Sequence, residues 1–151
     1  MNDFELMRAA IAEAHAAAAE GETPVGCVVA RGGEIIARAH NQREQGCDPT
    51  AHAEMIAIRR AAAASGDWRL QDCTLYVTLE PCPMCAGAIS QSRVGRLVFG
   101  AYDPAYGCAG SLYRIPEDPA FRHFCRSEGG LLEEECREIM MRFFEGRRSG
   151  E

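Results

Sequence analysis

The sequence predicts an α/β fold, a three-layer α/β/α sandwich built around a mixed five-stranded sheet. Helical and strand patterns alternate in the order helix, two strands, helix, strand, helix, strand, with a further short strand ahead of a final helix. The length of 151 residues is close to the roughly 150 that one domain takes, and 47% of the residues are hydrophobic. We therefore expect residues 1–151 to form one domain with a sizeable core.

The first elements are a helix and a β-hairpin. Apolar residues recur at helical spacing over residues 3–20, with a good N-cap residue before them and a glycine after them. Two apolar segments follow at 27–30 and 34–39, and the pair Gly32-Gly33 separates them. Two glycines between short apolar runs are typical of a hairpin turn.

The second half of the chain returns to alternating helices and strands. Thr50 is a good N-cap residue, so a second helix is predicted over 51–64. The remaining predictions are a strand at 74–78, a helix from Pro83 to about Ser92, a strand at 96–100, a loop region over 101–129 that contains one short strand, and a helix at 131–148.

Charge and cysteine content exclude several classes of protein. Sixteen arginines, without any lysine, stand against 22 acidic residues, and the net charge is −6. Contact with nucleic acid would therefore need a local arginine patch. The sequence has no apolar run long enough for a membrane span. Its N-terminus is acidic, unlike that of a signal peptide, so we expect a cytoplasmic protein. Its eight cysteines are then reduced, and metal binding or burial must explain them.

Two short motifs carry the chemistry, His52-x-Glu54 at the start of the second helix and Pro81-Cys82-x-x-Cys85 at the start of the third. Two cysteines on a first helical turn have both sulfurs on one side, and the helix N-terminus favours their thiolates as metal ligands. One imidazole and two thiolates leave a tetrahedral position open, which is typical of catalytic zinc. Glu54 is expected to carry protons if it shares the irregular first turn with His52.

Other interpretations of the cysteines stay open at this point. A Cys-x-x-Cys pair by itself also occurs as a redox pair, and a structural zinc site would need a fourth ligand, for which Cys73, Cys108 and His40 are candidates. Cysteines outside the motif are more often small buried side chains than ligands. These are Cys27, Cys47, Cys73, Cys108, Cys125 and Cys136.

Together the two motifs form the H-x-E and P-C-x-x-C signature of zinc deaminases that act on cytosine and adenine. Over nearly its whole length the sequence resembles the bacterial tRNA-specific adenosine deaminases of the cytidine deaminase superfamily. The resemblance implies a cytidine deaminase-like fold. The segments that carry it are Pro24-Val25-Gly26, residues 48–54, residues 75–88, Phe99-Gly100-Ala101 and the final helix with Phe143-Phe144.

The resemblance also implies an activity and a cofactor. The family's enzymes are homodimers that convert the wobble adenosine of an arginine tRNA to inosine by hydrolytic deamination. By this resemblance one Zn²⁺ per subunit binds His52, Cys82 and Cys85, and Glu54 moves protons between water, the purine ring and the departing ammonia. The partner is the anticodon loop of the tRNA, near the C-terminal helix.

Four further positions match the substrate site of the family. Asn41 is similar to its base-contacting asparagine, and Asp103 to an aspartate that meets the nucleotide beside the flipped base. The backbone around Ala53 and Glu80 would complete the base pocket. From the residues alone, Asn41 and Asp103 are equally typical of an ordinary loop and turn.

The chain departs from the family in the loop 112–127, where Arg122-His123 replaces an expected Asn-His pair. We expect this loop to shape the pocket rim, so the choice of substrate stays open. The alternative is a deaminase of a free nucleobase or nucleoside (guanine, cytosine or adenosine), and a further one is a non-catalytic zinc- or RNA-binding module. Candidate RNA contacts are Arg114, Arg122 and Arg126 in the loop and Arg142, Arg147 and Arg148 at the C-terminus.

Overall fold

The computed structural model describes residues 1–148, and of Arg148 the backbone alone. A five-stranded sheet lies between two layers of helices, which confirms the predicted fold class. The elements are α1 (Asp3–Ala19), β1 (Gly26–Arg31), β2 (Glu34–His40), α2 (Ala53–Ser65), β3 (Cys73–Leu79), α3 (Pro83–Gln91), β4 (Arg96–Ala101), β5 (Arg126–Gly129) and α4 (Glu133–Arg148). Two single 3₁₀ turns, Ile115–Glu117 and Pro119–Phe121, precede β5.

The sheet is mixed, with the strand order β2-β1-β3-β4-β5. Strand β1 pairs antiparallel with both β2 and β3, whereas β3, β4 and β5 run parallel. The carboxyl ends of β2, β3 and β4 therefore meet at the same edge as the start of β1. Four connecting segments converge there, which is where open α/β sheets place their ligand sites.

The two faces of the sheet have separate apolar cores. Helices α2 and α3 pack on one face, where Phe99 and Leu75 are among the large buried side chains. Helices α1 and α4 pack on the other face. Gly26 lets α1 approach β1 closely, because a Cβ at this position would lie 1.9 Å from the carbonyl oxygen of Ala10.

Most predicted elements appear within two residues of their predicted bounds, and β5 is the short strand predicted, without bounds, in the loop region 101–129. The hairpin turn is as predicted, since Gly32 and Gly33 both have positive φ, at 58° and 79°. The N-cap prediction for the second helix was wrong. Thr50 donates its backbone N–H and its hydroxyl to Asp48 Oδ1, so it closes a turn, and His52 becomes the N-cap of α2.

None of the four helices in residues 1–148 has the length and hydropathy that crossing a bilayer requires.

Candidate active site

The two predicted motifs meet at the starts of α2 and α3. His52 is the N-cap of α2 with extended backbone (φ −72°, ψ 154°), and Cys82 is the N-cap of α3 (φ −71°, ψ 174°). Cys85 follows on the first turn of α3, so both sulfurs face His52. The Nδ1 atom of His52 lies 3.5 Å from the Sγ atom of each cysteine.

The spacing of these donor atoms fits a tetrahedral zinc ion. With Zn–S bonds of about 2.3 Å and Zn–N bonds of about 2.0–2.1 Å, the sulfur and nitrogen ligands of one ion lie about 3.6 Å apart. The observed distance is 3.5 Å for both pairs. The Cys82 thiolate is stabilised by the neighbouring Cys85 thiol and by His52, which lower its pKa to about 4. Cys82 is therefore held in the deprotonated form, the form that binds metal, while the hydrogen bond to Cys82 and burial raise the pKa of the Cys85 thiol.

Glu54 lies on the same first turn as His52, as the proton-carrying role requires. It is the second residue of α2, and only 4% of its surface is exposed. Burial raises the pKa of its carboxyl group to about 7, while its own backbone N–H lowers it. A carboxyl group in this range can both accept and donate a proton near neutral pH.

A cavity of about 330 Å³ opens beside these groups. Its volume is in the range of small-ligand pockets, about 300–1,000 Å³. All eight residues of the predicted site except Cys85 line it, and five residues that the sequence analysis missed complete the lining. The predicted lining residues are Asn41, His52, Ala53, Glu54, Glu80, Cys82 and Asp103, and the missed ones are Thr23, Val25, Arg43, Leu79 and Tyr106.

The side chain of Glu80 organises one wall of the cavity. It is 2% exposed, and its carboxylate accepts backbone N–H bonds from Asp103 (2.9 Å), Ala109 (3.1 Å) and Ser111 (2.8 Å), besides the Ser111 hydroxyl. Asp103 in turn accepts the N–H groups of the residues two and three further on. A carboxylate inside the fold thus fixes the loop 102–111.

Asn41 lies on the opposite wall, at the end of β2. It is 6% exposed, its Oδ1 accepts the N–H of Arg43 (3.3 Å), and its Nδ2 donates to the carbonyl of Thr23 (3.5 Å). A carboxamide can make four hydrogen bonds, two as donor and two as acceptor. One donor and one acceptor of Asn41 therefore remain for a ligand.

The candidate fourth metal ligands do not join the cluster of donor atoms. In the described part of the chain the cluster of possible donors contains His52, Cys82 and Cys85, without Cys73, Cys108 or His40. Both ring nitrogens of His40 are instead within 3.0 Å of glutamate carboxylates. The geometry thus favours the open, catalytic arrangement over a structural site with four protein ligands.

The prediction that the loop 112–127 shapes the pocket rim was wrong for this cavity. The lining residues come from other segments. The start of the loop bonds to the backbone of Gly107 and Cys108, and its later part is held away from the cavity by His123, whose Nε2 lies 2.7 Å from the Val94 carbonyl oxygen. Arg122 has left-handed backbone (φ 61°) and an exposed side chain.

Several of the arginines proposed for RNA contact are already paired. Arg114 lies 3.5 Å from Glu117, Arg126 3.0 Å from Glu128 and Arg142 2.6 Å from Glu138. Arg147 stacks on Phe143 and donates to the Gly21 carbonyl, and the side chain of Arg148 lies outside the described residues.

Comparison with known proteins agrees with this geometry. The model of the cytidine and deoxycytidylate deaminase zinc-binding region matches residues 1–101. The tRNA-specific adenosine deaminase of Bacillus subtilis is 52% identical over 145 residues, which cover 95% of this chain and 90% of the relative. A structure solved in a study of A-to-I editing by tRNA:A34 deaminases at the wobble position has a TM-score of 0.86 and 44% identity, covering 89% of this chain and 98% of the other.

A guanine deaminase from Bacillus subtilis is also similar, with 40% identity and a TM-score of 0.65. The matched region covers 68% of this chain and 66% of the guanine deaminase chain. The structural likeness is thus less complete than that to the tRNA:A34 deaminase.

The family match includes both metal motifs and Glu54, so the chain is a zinc-dependent deaminase of the cytidine and deoxycytidylate deaminase family. Half of its residues are identical to those of the Bacillus subtilis relative over nearly the full length of both chains. Within the superfamily, the chain belongs to the tRNA-specific adenosine deaminases, which confirms the resemblance found in the sequence.

Proposed function

We propose that this protein converts adenosine to inosine at the wobble position of a tRNA. The observation that carries the proposal is the position of Glu54, buried at the cavity that His52 and Cys82 also line. The high identity to a tRNA-specific adenosine deaminase supports the choice of substrate. Residues 1–151 would act as a single deaminase domain.

His52, Cys82 and Cys85 are the residues that would hold the zinc ion. When bound, the ion would supply Lewis acidity that makes a water molecule acidic near neutral pH. Glu54 accepts a proton from the attacking water and delivers protons to the ring nitrogen and to the leaving amino group. Water adds its oxygen to the purine carbon, the carbon–nitrogen bond breaks, and inosine and ammonia result.

The polar groups of the cavity are suited to an unstacked purine. Asn41 keeps one free donor and one free acceptor, the pair with which an asparagine recognises the edge of a base. Glu80 and Ala53 would contribute through their backbone, because the Glu80 carboxylate is occupied by the loop 102–111. Asp103, on this loop, would meet the neighbouring nucleotide.

A second groove beside the cavity favours a nucleic-acid substrate over a free base. It has a volume of about 480 Å³, lies between α4 and the loop 102–106, and shares Leu79, Asp103 and Tyr106 with the cavity. Tyr106 and Phe144 are exposed there, and exposed aromatic rings allow nucleotides to stack. A free base would fill the cavity without using this groove.

A homodimer and a cytoplasmic location belong to the same proposal. Apart from the backbone of its own helix, no described atom of the chain lies within 4 Å of where a Cβ of Gly87 on α3 would stand, so another subunit has room to approach. Light scattering at micromolar concentration is expected to give twice the chain mass of 16.5 kDa. A monomer mass would contradict the dimer.

The test compares substrates and one variant on the same zinc-loaded protein. Incubation with an arginine tRNA anticodon hairpin that carries a wobble adenosine is expected to give inosine at that position by sequencing. The Glu54→Ala variant is expected to keep one zinc per chain and lose about 10²- to 10⁴-fold in turnover, since it lacks the proton carrier. The exposed Glu34→Gln change, at the start of β2 and outside the cavity lining, is the control.

Two outcomes would contradict the proposal. Turnover in Glu54→Ala close to that of the unmodified enzyme would show that Glu54 does not carry the protons. Ammonia release from free guanine with an unmodified tRNA would move the activity to nucleobases, the alternative that the guanine deaminase likeness supports.

A further inference from the structure

Glu22 is a fully buried carboxylate outside the cavity. Glu22 is 0% exposed, and it lies between the C-terminal end of α1 and the segment 23–25 that leads into β1. Its two oxygens accept the backbone N–H groups of Glu44 (3.1 Å) and Gln45 (2.7 Å). Burial of a carboxylate is costly unless such bonds meet its charge, so these two contacts define where its side chain can lie.

The two amides belong to a turn that follows Asn41. The turn is closed by bonds from the N–H of Gly46 to the Gln42 carbonyl (2.9 Å) and from the N–H of Asp48 to the Arg43 carbonyl (3.1 Å). The first N–H groups of a helical turn have no partner within it. Here Asn41 Oδ1 accepts the first of three consecutive amides, and Glu22 accepts the next two.

The same segment that carries Glu22 also holds Asn41. The backbone N–H of Asn41 donates to the Val25 carbonyl (3.1 Å), and its Nδ2 donates to the Thr23 carbonyl (3.5 Å). Thr23, Val25, Asn41 and Arg43 all line the cavity, whereas Glu22 does not. Any effect of Glu22 on the cavity therefore acts through the loop to which its carboxylate is bonded.

We propose that Glu22 is a positioning residue, which holds the turn 42–46 so that Asn41 faces the substrate base. The proposal rests on the proposed function, because it gives Asn41 the role of reading the base. Glu80 holds the opposite wall in the same way, by accepting backbone N–H groups of the loop 102–111. The two walls of the cavity are thus each fixed by a carboxylate inside the fold.

The experiment is a double-mutant cycle between Glu22 and Asn41. Glu22→Gln keeps the shape of the side chain but turns one acceptor into a donor, which opposes one of the two amides. Since Glu22 acts through Asn41, the variant is expected to lower kcat/KM for the tRNA hairpin about tenfold, and by no more than Asn41→Ala does. In the Asn41→Ala background, adding Glu22→Gln is expected to change kcat/KM less than about twofold.

The matched control is Glu117→Gln. Glu117 also accepts one backbone N–H through its carboxylate, from Ser127 at 3.0 Å, but it does not line the cavity. It is expected to leave kcat/KM and zinc content unchanged. If Glu22→Gln fails to fold, Glu22→Asp replaces it, because the shorter side chain keeps the charge but cannot reach both amides.

Hydrogen exchange of the free enzyme provides a readout that needs no substrate. The amides of Glu44 and Gln45 are expected to exchange about tenfold faster or more in the Glu22 variant, with unchanged protection in β1 and β3. Equal losses of kcat/KM in both Asn41 backgrounds would show a general structural effect and overturn the proposal. So would unchanged kcat/KM despite faster exchange.

Failure of the proposed function would be visible separately. If the unmodified enzyme makes no inosine in the hairpin, the cycle is run with the base that it does deaminate. Coupling between Glu22 and Asn41 on that base would support the positioning role, and additive effects would overturn it.

Discussion

Replacing Gly107 with alanine should loosen one wall of the cavity. A Cβ at this position would lie 2.3 Å from Cδ, 2.4 Å from Oε1 and 2.5 Å from Oε2 of Glu80. The carboxylate cannot turn aside without losing partners, because three backbone N–H groups and the Ser111 hydroxyl already bond to it. Either the carboxylate or the loop must move.

The structure gives the size of the effect. Relief of the overlap to ordinary contact needs a shift of about 1 Å, which stretches amide bonds of 2.8–3.1 Å beyond hydrogen-bond distance. Each bond to a charged acceptor contributes about 1.5–3 kcal/mol. With partial recovery by relaxation, we expect Gly107→Ala to cost about 2–4 kcal/mol of unfolding free energy. For a chain of this length the melting temperature then falls by about 5–15 °C.

Thermal and urea unfolding measure this cost, and kcat/KM measures its effect on the cavity. Gly110→Ala is the control in the same loop, since the nearest atom to its Cβ would be 3.6 Å away, in ordinary contact. Equal stability of the two variants would refute the reasoning. It would mean that the loop accommodates the methyl group and that Glu80 does not fix it.

Two smaller predictions concern stability away from the cavity. Asp3 accepts hydrogen bonds from the two terminal guanidinium nitrogens of Arg96 and from the hydroxyl of Tyr76, and these hydrogen bonds lower its pKa to about 2. A lowered pKa stabilises the fold above about pH 4, and the effect is lost as the pH falls towards 2; because the group is 38% exposed, solvent screening reduces it to about 1 kcal/mol. Asp3→Asn should therefore cost about 1 kcal/mol at pH 7 and almost nothing at pH 2 in urea unfolding, and a pH-independent cost would contradict this. Arg122→Asn should raise stability by about 0.5–1 kcal/mol, since asparagine tolerates its left-handed backbone (φ 61°) better, and no gain in melting temperature would count against strain there.

The local elements of this fold could be predicted from the sequence because each has a local cause. Gly32 and Gly33 set the hairpin turn, and Pro83 starts α3 after its N-cap. The strand order could not be predicted, since β1 lies between β2 and β3 through contacts that no short segment specifies. The N-cap of α2 was predicted wrongly for a similar reason. Thr50 hydrogen-bonds to Asp48, two residues before it, and both residue types are as typical of a turn as of a helix cap.

The metal motifs could be predicted because the spacing of their histidine, glutamate and cysteine residues is typical of a catalytic zinc site. The fold then brings the two motifs together at the starts of two helices. The rest of the cavity was missed because it depends on topology. Val25 and Arg43 lie on segments that reach the cavity only because β1 and β2 pair antiparallel, with His40 opposite Gly26. Their proximity to strand ends was the available signal, and it needed the strand order to be useful.

The acidic composition also has a different meaning once the structure is known. A net charge of −6 weighs against a polyanionic partner when it is treated as an average over the surface. Yet Glu22, Glu54 and Glu80 are buried, and the carboxylates of Glu22, Glu80 and Asp103 accept backbone N–H bonds within the two loops that form the cavity walls. Much of the acidic charge near the cavity is thus met by amide dipoles, while Arg43 lines the cavity itself. The overall charge therefore does not argue against an RNA substrate at this site, because a bound nucleotide interacts with the charges and dipoles around the cavity and not with the average over the surface.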